Sequence, residues 1–223
     1  MFREEDLDLA RKIVSHISFP ENFGSDDDMD TVGYEAQLED VVNCDYFVTC
    51  GVSKLVIVIE DLPFVIKIPF DGRWIWDDDE QESWFSEFNC ACDESESDYC
   101  WDEYCKTHMI EDAGFSALVP EMEFIGVYGG HSVYVQSKAK PICECSKLNV
   151  SKDSLDKAKQ TSSMFKYEWV ALVYDTYGDI YWNEFVKWID ENDPCFFNDC
   201  HDGNYGVDMA GRPVIFDLSG FRD

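Results

Sequence analysis

Four side chains in this 223-residue sequence stand in an order that could move a phosphoryl group. Asp199 and Asn204 bracket the run Asp199-Cys200-His201-Asp202-Gly203-Asn204, and Asp217 follows a short apolar stretch, Pro213-Val214-Ile215-Phe216. The fourth, Lys67, is set inside Phe64-Val65-Ile66-Lys67-Ile68. Phosphoryl transfer asks a protein mainly for positioning and for neutralisation of charge. A carboxylate such as Asp199 can orient an acceptor hydroxyl and take its proton. An amide oxygen and a second carboxylate, those of Asn204 and Asp217, are the hard oxygen donors that Mg²⁺ prefers. An ammonium on the opposite wall, that of Lys67, can meet the phosphates. A lone lysine in a strand is often an edge residue whose head reaches water, but flanking isoleucines favour a paired, partly buried role.

The elements that must hold these residues are legible as patterns. Tyr46-Phe47-Val48, Leu55-Val56-Ile57-Val58-Ile59 and Phe64-Val65-Ile66-Lys67-Ile68 read as a β-meander, punctuated by Cys50-Gly51-Val52-Ser53 and Glu60-Asp61-Leu62-Pro63. The period of two puts Val65 and Lys67 on one face of their strand. Phe124 to Tyr128 and Ser132 to Gln136, joined through Gly129-Gly130, form a hairpin that brings the sheet to five strands. Ahead of it, Leu7, Ala10, Ile13, Val14 and Ile17 recur at helical spacing, and Tyr34, Leu38 and Val42 suggest a second short helix. Residues 71–112 are acidic and aromatic and read as mostly helical, with Trp101, Tyr104, Cys105 and His108 on one face. Ser137 to Asn149 reads as a connector. Leu155, Ala158, Ser162, Phe165, Trp169 and Leu172 predict one long amphipathic helix. Tyr181, Phe185 and Trp188 predict another, closed by Asn192-Asp193-Pro194, and the tail holds a hairpin turning at Asp208 to Gly211. The expected class is α+β.

These motifs resemble the protein-kinase superfamily. Asp199-x-x-x-x-Asn204 is similar to its catalytic loop, Asp217-Leu218-Ser219-Gly220 stands where the D-F-G motif would, and Val65-Ile66-Lys67 matches the end of the V-A-I-K strand. The form Asp199-Cys200-His201-Asp202-Gly203-Asn204 looks most like the small early protein kinases of tailed bacteriophages, and it shares D-x-H-x-x-N with aminoglycoside and choline kinases. The resemblance covers residues from about 45 to 223. It implies a bilobal kinase-like fold: a helical extension over 1–44, an antiparallel β-sheet N-lobe over 45–136, and a truncated, mostly helical C-lobe over 137–223. It also implies ATP and Mg²⁺ as cofactors, with Asp199 and Lys67 catalytic and Asn204 and Asp217 on the metal. Nucleotide contacts would come from Gly51, Ser53, Lys54, Val65 and Lys67, from Glu103 as the glutamate that pairs the lysine, and from Gln136 and Lys138 around an interlobe hinge at Gln136-Ser137-Lys138. Glu87, Glu94, Glu96 and Glu111 compete with Glu103 for its place. The departures are specific. The glycine loop is reduced to Cys50-Gly51-Val52-Ser53-Lys54, with Ser53 and Lys54 as substitutes for the missing glycines. Phe197 stands where a histidine is usual. Six residues follow Asp217, which predicts a C-lobe without an activation segment or an A-P-E motif.

Composition narrows the partners. Asp and Glu total 47 against 17 Lys and Arg, a formal charge of −30. Such a surface repels nucleic acid and anionic membranes, because phosphate contacts need cations. It suits a basic protein substrate, a host factor if the phage resemblance holds. Met1-Phe2-Arg3-Glu4-Glu5-Asp6 is no apolar signal segment, so a cytoplasmic location with reduced thiols is expected for the ten cysteines. Cys90, Cys92, Cys100 and Cys105, with His108, lack a C-x-x-C pair and read as idle thiols rather than zinc ligands. Two other functions fit parts of the pattern. One is a non-catalytic acidic protein that imitates DNA on a kinase scaffold; the other is a small-molecule kinase.

Overall fold

The protein is described from a computed structural model, which covers residues 2–17, 22–24, 38, 41–42, 44–50, 54–69, 71–76, 82–87, 99–161, 164–193 and 200–218. The architecture is α+β, with an antiparallel sheet and a helical part. The chain divides into two compact units, Met1–Tyr104 with Glu121–Ser137, and Cys105–Pro120 with Lys138–Asp223.

The first unit opens with α1 (Glu4–Val14), whose acidic first turn and basic last turn both suit the helix dipole. After β1 (Asn22–Gly24) come β2 (Tyr46–Cys50), β3 (Lys54–Ile59) and β4 (Phe64–Pro69). With β7 (Met122–Tyr128) and β8 (His131–Ser137) they form a five-stranded antiparallel sheet, in the order β2-β3-β4-β8-β7. All five strands lie where alternation and turn residues predict them. Register sorts the side chains into two faces. Leu55, Ile57, Ile59, Phe64, Ile66, Ile68, Val133 and Val135 occupy one face, and all are buried together with Ala10, Ile13 and Val14 of α1. The helix predicted as an extension is therefore part of this core, not an appendage to it.

Residues 71–112 depart from the helical expectation. They hold β5 (Asp71–Trp76) and β6 (Glu82–Glu87), which form a second antiparallel sheet with β1 in the order β1-β6-β5, before helix α2 (Tyr99–Ile110). Trp74-Ile75-Trp76 and Trp84-Phe85 are aromatic and β-branched, a composition that suits a pleated sheet better than a helix. The buried stripe of α2 is Cys100, Glu103, Thr107 and Ile110, at three-four-three spacing, and not the Trp101, Tyr104, Cys105, His108 face; Trp101 is half exposed.

The second unit packs helices around aromatic rings. The single helix expected over 155–172 is two, α3 (Lys152–Thr161) and α4 (Tyr167–Tyr177), with Met164 to Lys166 non-helical between them. That break lets the Phe165 ring sit edge-on to Tyr205 at 4.9 Å and stack on Trp169 at 5.2 Å. Packing thus overrides the periodic pattern. Helix α5 (Asp179–Asn192) adds Trp182 and Phe185, both buried in the same cluster. The segment expected as a connector contains a strand, β9 (Ala139–Pro141), which pairs with β10 (Tyr205–Asp208); β10 pairs in turn with β11 (Pro213–Ile215), as the tail hairpin predicts. Gly206 is required where β9 and β10 cross, since a Cβ there would lie 1.9 Å from the Lys140 carbonyl oxygen. Segment 105–120 belongs to this unit rather than to the sheet unit. No helix among the described residues is long and apolar enough to cross a membrane.

Candidate functional site

The face of the five-stranded sheet opposite α1 carries the charges. Lys67 lies opposite Val56 of β3 and Tyr134 of β8, and Val65 lies opposite Gln136. Lys54 is two residues before Val56, so it shares that face and sits diagonally from Lys67, within reach of a long side chain. Helix α2 brings Glu103 to the same place. Lys67 Nζ donates to both carboxylate oxygens of Glu103 at 2.8 Å. Lys54 Nζ donates to Oε2 at 3.1 Å, and the Gln136 amide donates to Oε1 at 2.8 Å. All four residues are buried, Glu103 completely.

Burial alone pushes the Glu103 carboxyl up, because a charge in a low-dielectric site is poorly solvated. The Lys54 and Lys67 charges and the hydrogen bonds from Lys67 and Gln136 outweigh it, and hold the group well below the usual carboxylate range. Around the cluster, Cys100, Met122 and Tyr134 form a small buried apolar group with Tyr104 against it. Val56, Val58 and Val65, on the charged face, are only half-buried.

In the second unit, the β10–β11 ladder organises the tail motif. Tyr205 pairs with Ile215, and the Phe216 N–H donates to the Asn204 carbonyl at 2.8 Å, which brings Asn204 and Asp217 together at the end of the hairpin. Asn204 is buried, and its N–H donates to the His201 carbonyl at 2.8 Å. The loop before it is tied down at several points. Gly203 N–H donates to His201 Nδ1 at 3.0 Å, and the Tyr205 hydroxyl donates to Asp202 Oδ1 at 2.7 Å while accepting the Lys166 N–H at 3.0 Å. Lys166 Nζ lies 2.5 Å from Asp202 Oδ2, and this hydrogen bond holds the Asp202 carboxyl below its ordinary range. Trp169 Nε1 donates to the Gly206 carbonyl at 2.6 Å and fixes β10 against the core. Asp217 has φ 57°, and it is the only non-glycine residue among those described with a positive φ. A side chain in that left-handed region is strained, and such strain gathers at sites where function holds the backbone.

Lys54, Lys67, Glu103 and Gln136 meet in one cluster, with Val65 beside it on the same face. Asn204 and Asp217 stand just outside the two strands, at the end of the β10–β11 hairpin in the other unit. Lys138 is half-buried between β8 and β9, directly after the boundary between the units at Ser137. Asp199, Gly51 and Ser53 lie outside the described residues, as do Cys90 and Cys92. Two roles differ from expectation. Lys54 is the first residue of β3 rather than a loop residue, and its ammonium is turned to Glu103 because strand parity points it inward. Gln136, expected at a hinge, does stand one residue before the boundary between the units, and by the same parity it also donates to Glu103. The signal for both was present as polar residues in phase with Lys67, but it acquires meaning only from the register. Among the described residues, no three His, Cys, Asp or Glu side chains gather as a metal site. Asn204 and Asp217 fit the simpler donor set of Mg²⁺, which takes one or two protein oxygens and completes its shell with phosphate and water. The sequence matches no family model and no curated protein.

Proposed function

We propose that this chain is an ATP- and Mg²⁺-dependent phosphotransferase of the protein-kinase type, acting on a hydroxyl of a basic protein. One observation carries the reading: a buried lysine on the third strand of a five-stranded antiparallel sheet, bonded at 2.8 Å to a glutamate of the helix that precedes the fourth. That lysine–glutamate pair is a required part of the protein-kinase arrangement. The placement of Asn204 and of a left-handed Asp217 at the same end of one hairpin supports it, since these are the oxygen donors the same chemistry needs.

In this reading Lys67, oriented by Glu103, binds ATP phosphate oxygens, and the half-buried Val65 offers an apolar surface to the base. Asn204 and Asp217 would hold Mg²⁺, which when bound neutralises charge on the phosphates. Asp199 orients the acceptor hydroxyl and takes its proton as the oxygen bonds to the γ-phosphorus; the bond from that phosphorus to the β,γ-bridging oxygen breaks and ADP leaves. Acidic surface charge favours a cationic substrate.

The test uses purified protein, labelled ATP and Mg²⁺, with a basic protein acceptor. Lys67→Ala and Asp199→Ala are each expected to lower transfer at least ~100-fold, the scale of a lost acid–base or charge-stabilising group. The double variant removes one charge of each sign and leaves the −30 almost unchanged. If that double variant transfers phosphate to the acceptor as well as the wild type, the phosphotransferase reading is wrong.

A further inference from the structure

Glu103 is shared. A carboxylate has about four lone-pair directions, enough for Lys67, Lys54 and Gln136 together. The two lysines hold it differently: Lys67 at 2.8 Å through both oxygens, Lys54 at 3.1 Å through Oε2 alone. Their strands fix this. Lys54 and Lys67 lie on the same sheet face at a diagonal, on neighbouring strands, so one helix side chain spans both.

A site with one lysine on a buried glutamate has a conflict. Turning the ammonium toward a phosphate loosens its hold on the carboxylate, and an unpaired carboxylate in a fully buried position is strongly unfavourable. A second ammonium on the same carboxylate removes that conflict.

We propose that Lys54 is a positioning residue that keeps Glu103 paired while Lys67 turns to the nucleotide phosphates, an inference that rests on the phosphotransferase reading above. The second lysine separates two tasks that one lysine would otherwise perform together. Lys54 therefore acts through Glu103 and Lys67, and its loss is felt when nucleotide binds rather than in the empty protein.

The experiment is calorimetric titration of the full chain with ATP and Mg²⁺, alongside thermal melting without nucleotide, for the wild type, Lys54→Met, Lys54→Arg, Lys67→Met and the Lys54→Met/Lys67→Met pair. Lys54→Met is expected to weaken MgATP binding tenfold or more, about 1.4 kcal/mol, with little change in melting, because Lys67 still holds Glu103. Lys54→Arg, which keeps a cation there, should recover most of the affinity. Lys67→Met should melt near the wild type and the double variant far below it. The inference is overturned if Lys54→Met binds MgATP within twofold of the wild type, if Lys54→Arg binds as poorly as Lys54→Met, or if Lys54→Met no longer folds without nucleotide. A wild type that does not bind MgATP at all overturns the phosphotransferase reading and this inference with it. A wild type that binds, beside an unaffected Lys54→Met, overturns this inference alone.

Discussion

The two candidate clusters are built by opposite means. The Lys67–Glu103 cluster is assembled from side chains far apart in sequence, on two strands and a helix, and it is buried and charged. The Asn204–Asp217 end of the tail hairpin is assembled chiefly by backbone hydrogen bonds within the hairpin and its loop, with Lys166 and Trp169 anchoring it from outside. The first depends on the pairing of buried charge, two ammonium groups on one carboxylate. The second depends on space and backbone conformation. Each should therefore break under a different kind of substitution.

The largest effect is expected from Glu103→Ala. It strands two buried ammonium groups, and removing one partner of a buried ion pair typically costs ~3–5 kcal/mol. Urea unfolding followed by fluorescence measures it; a loss below ~1 kcal/mol would mean that the cluster is solvated. The sign of the pH dependence follows from the same group. Its folded-state pKa lies below the ordinary 4.5, so its contribution is complete above that value and is lost as pH falls through the lower folded value. Glu103→Gln should lack this acid-side loss of stability.

A smaller loss, ~1–3 kcal/mol, is expected from Gly206→Ala, the cost of forcing a methyl group into a filled space. It should be read out as early exchange of the β10 and β11 amide protons, with α1 and β2–β4 unaffected. Equal loosening of the sheet unit would contradict the separation of the two regions.

The smallest change in stability, and the sharpest contrast, is Asp217→Gly. Relieving a non-glycine residue at φ 57° should raise stability by about 1 kcal/mol. The same substitution removes an oxygen donor, so Mg²⁺-dependent nucleotide binding should fall while binding without metal changes little. A destabilised Asp217→Gly chain would show that the left-handed backbone is held by a structural contact of the carboxylate and not by function.

Sequence legibility follows the same division. The tail hairpin, with Asn204 and Asp217 at its end, could be read directly, because a ladder between adjacent segments is encoded locally by alternation and a turn. The five strands of the main sheet were legible for the same reason. The failures were non-local. The aromatic stretches around Trp74 and Trp84 form strands whose composition is masked by acidic neighbours, and one continuous pattern over 155–172 hides a break that only the Phe165, Trp169 and Tyr205 rings explain.

Glu103 shows the boundary most clearly. By itself the sequence determined that a lysine at position 67 sits in an apolar strand and needs a partner, since a buried ammonium is not left unpaired. It offered several glutamates, of which the kinase-like resemblance points to Glu103. The tertiary structure supplied the physical reason, because strand register and the buried stripe of α2 bring the Glu103 carboxylate within 2.8 Å of Lys67. The same register made Lys54 and Gln136 partners of that carboxylate. Local pattern fixes which residues are available; distance across the fold fixes which of them meet.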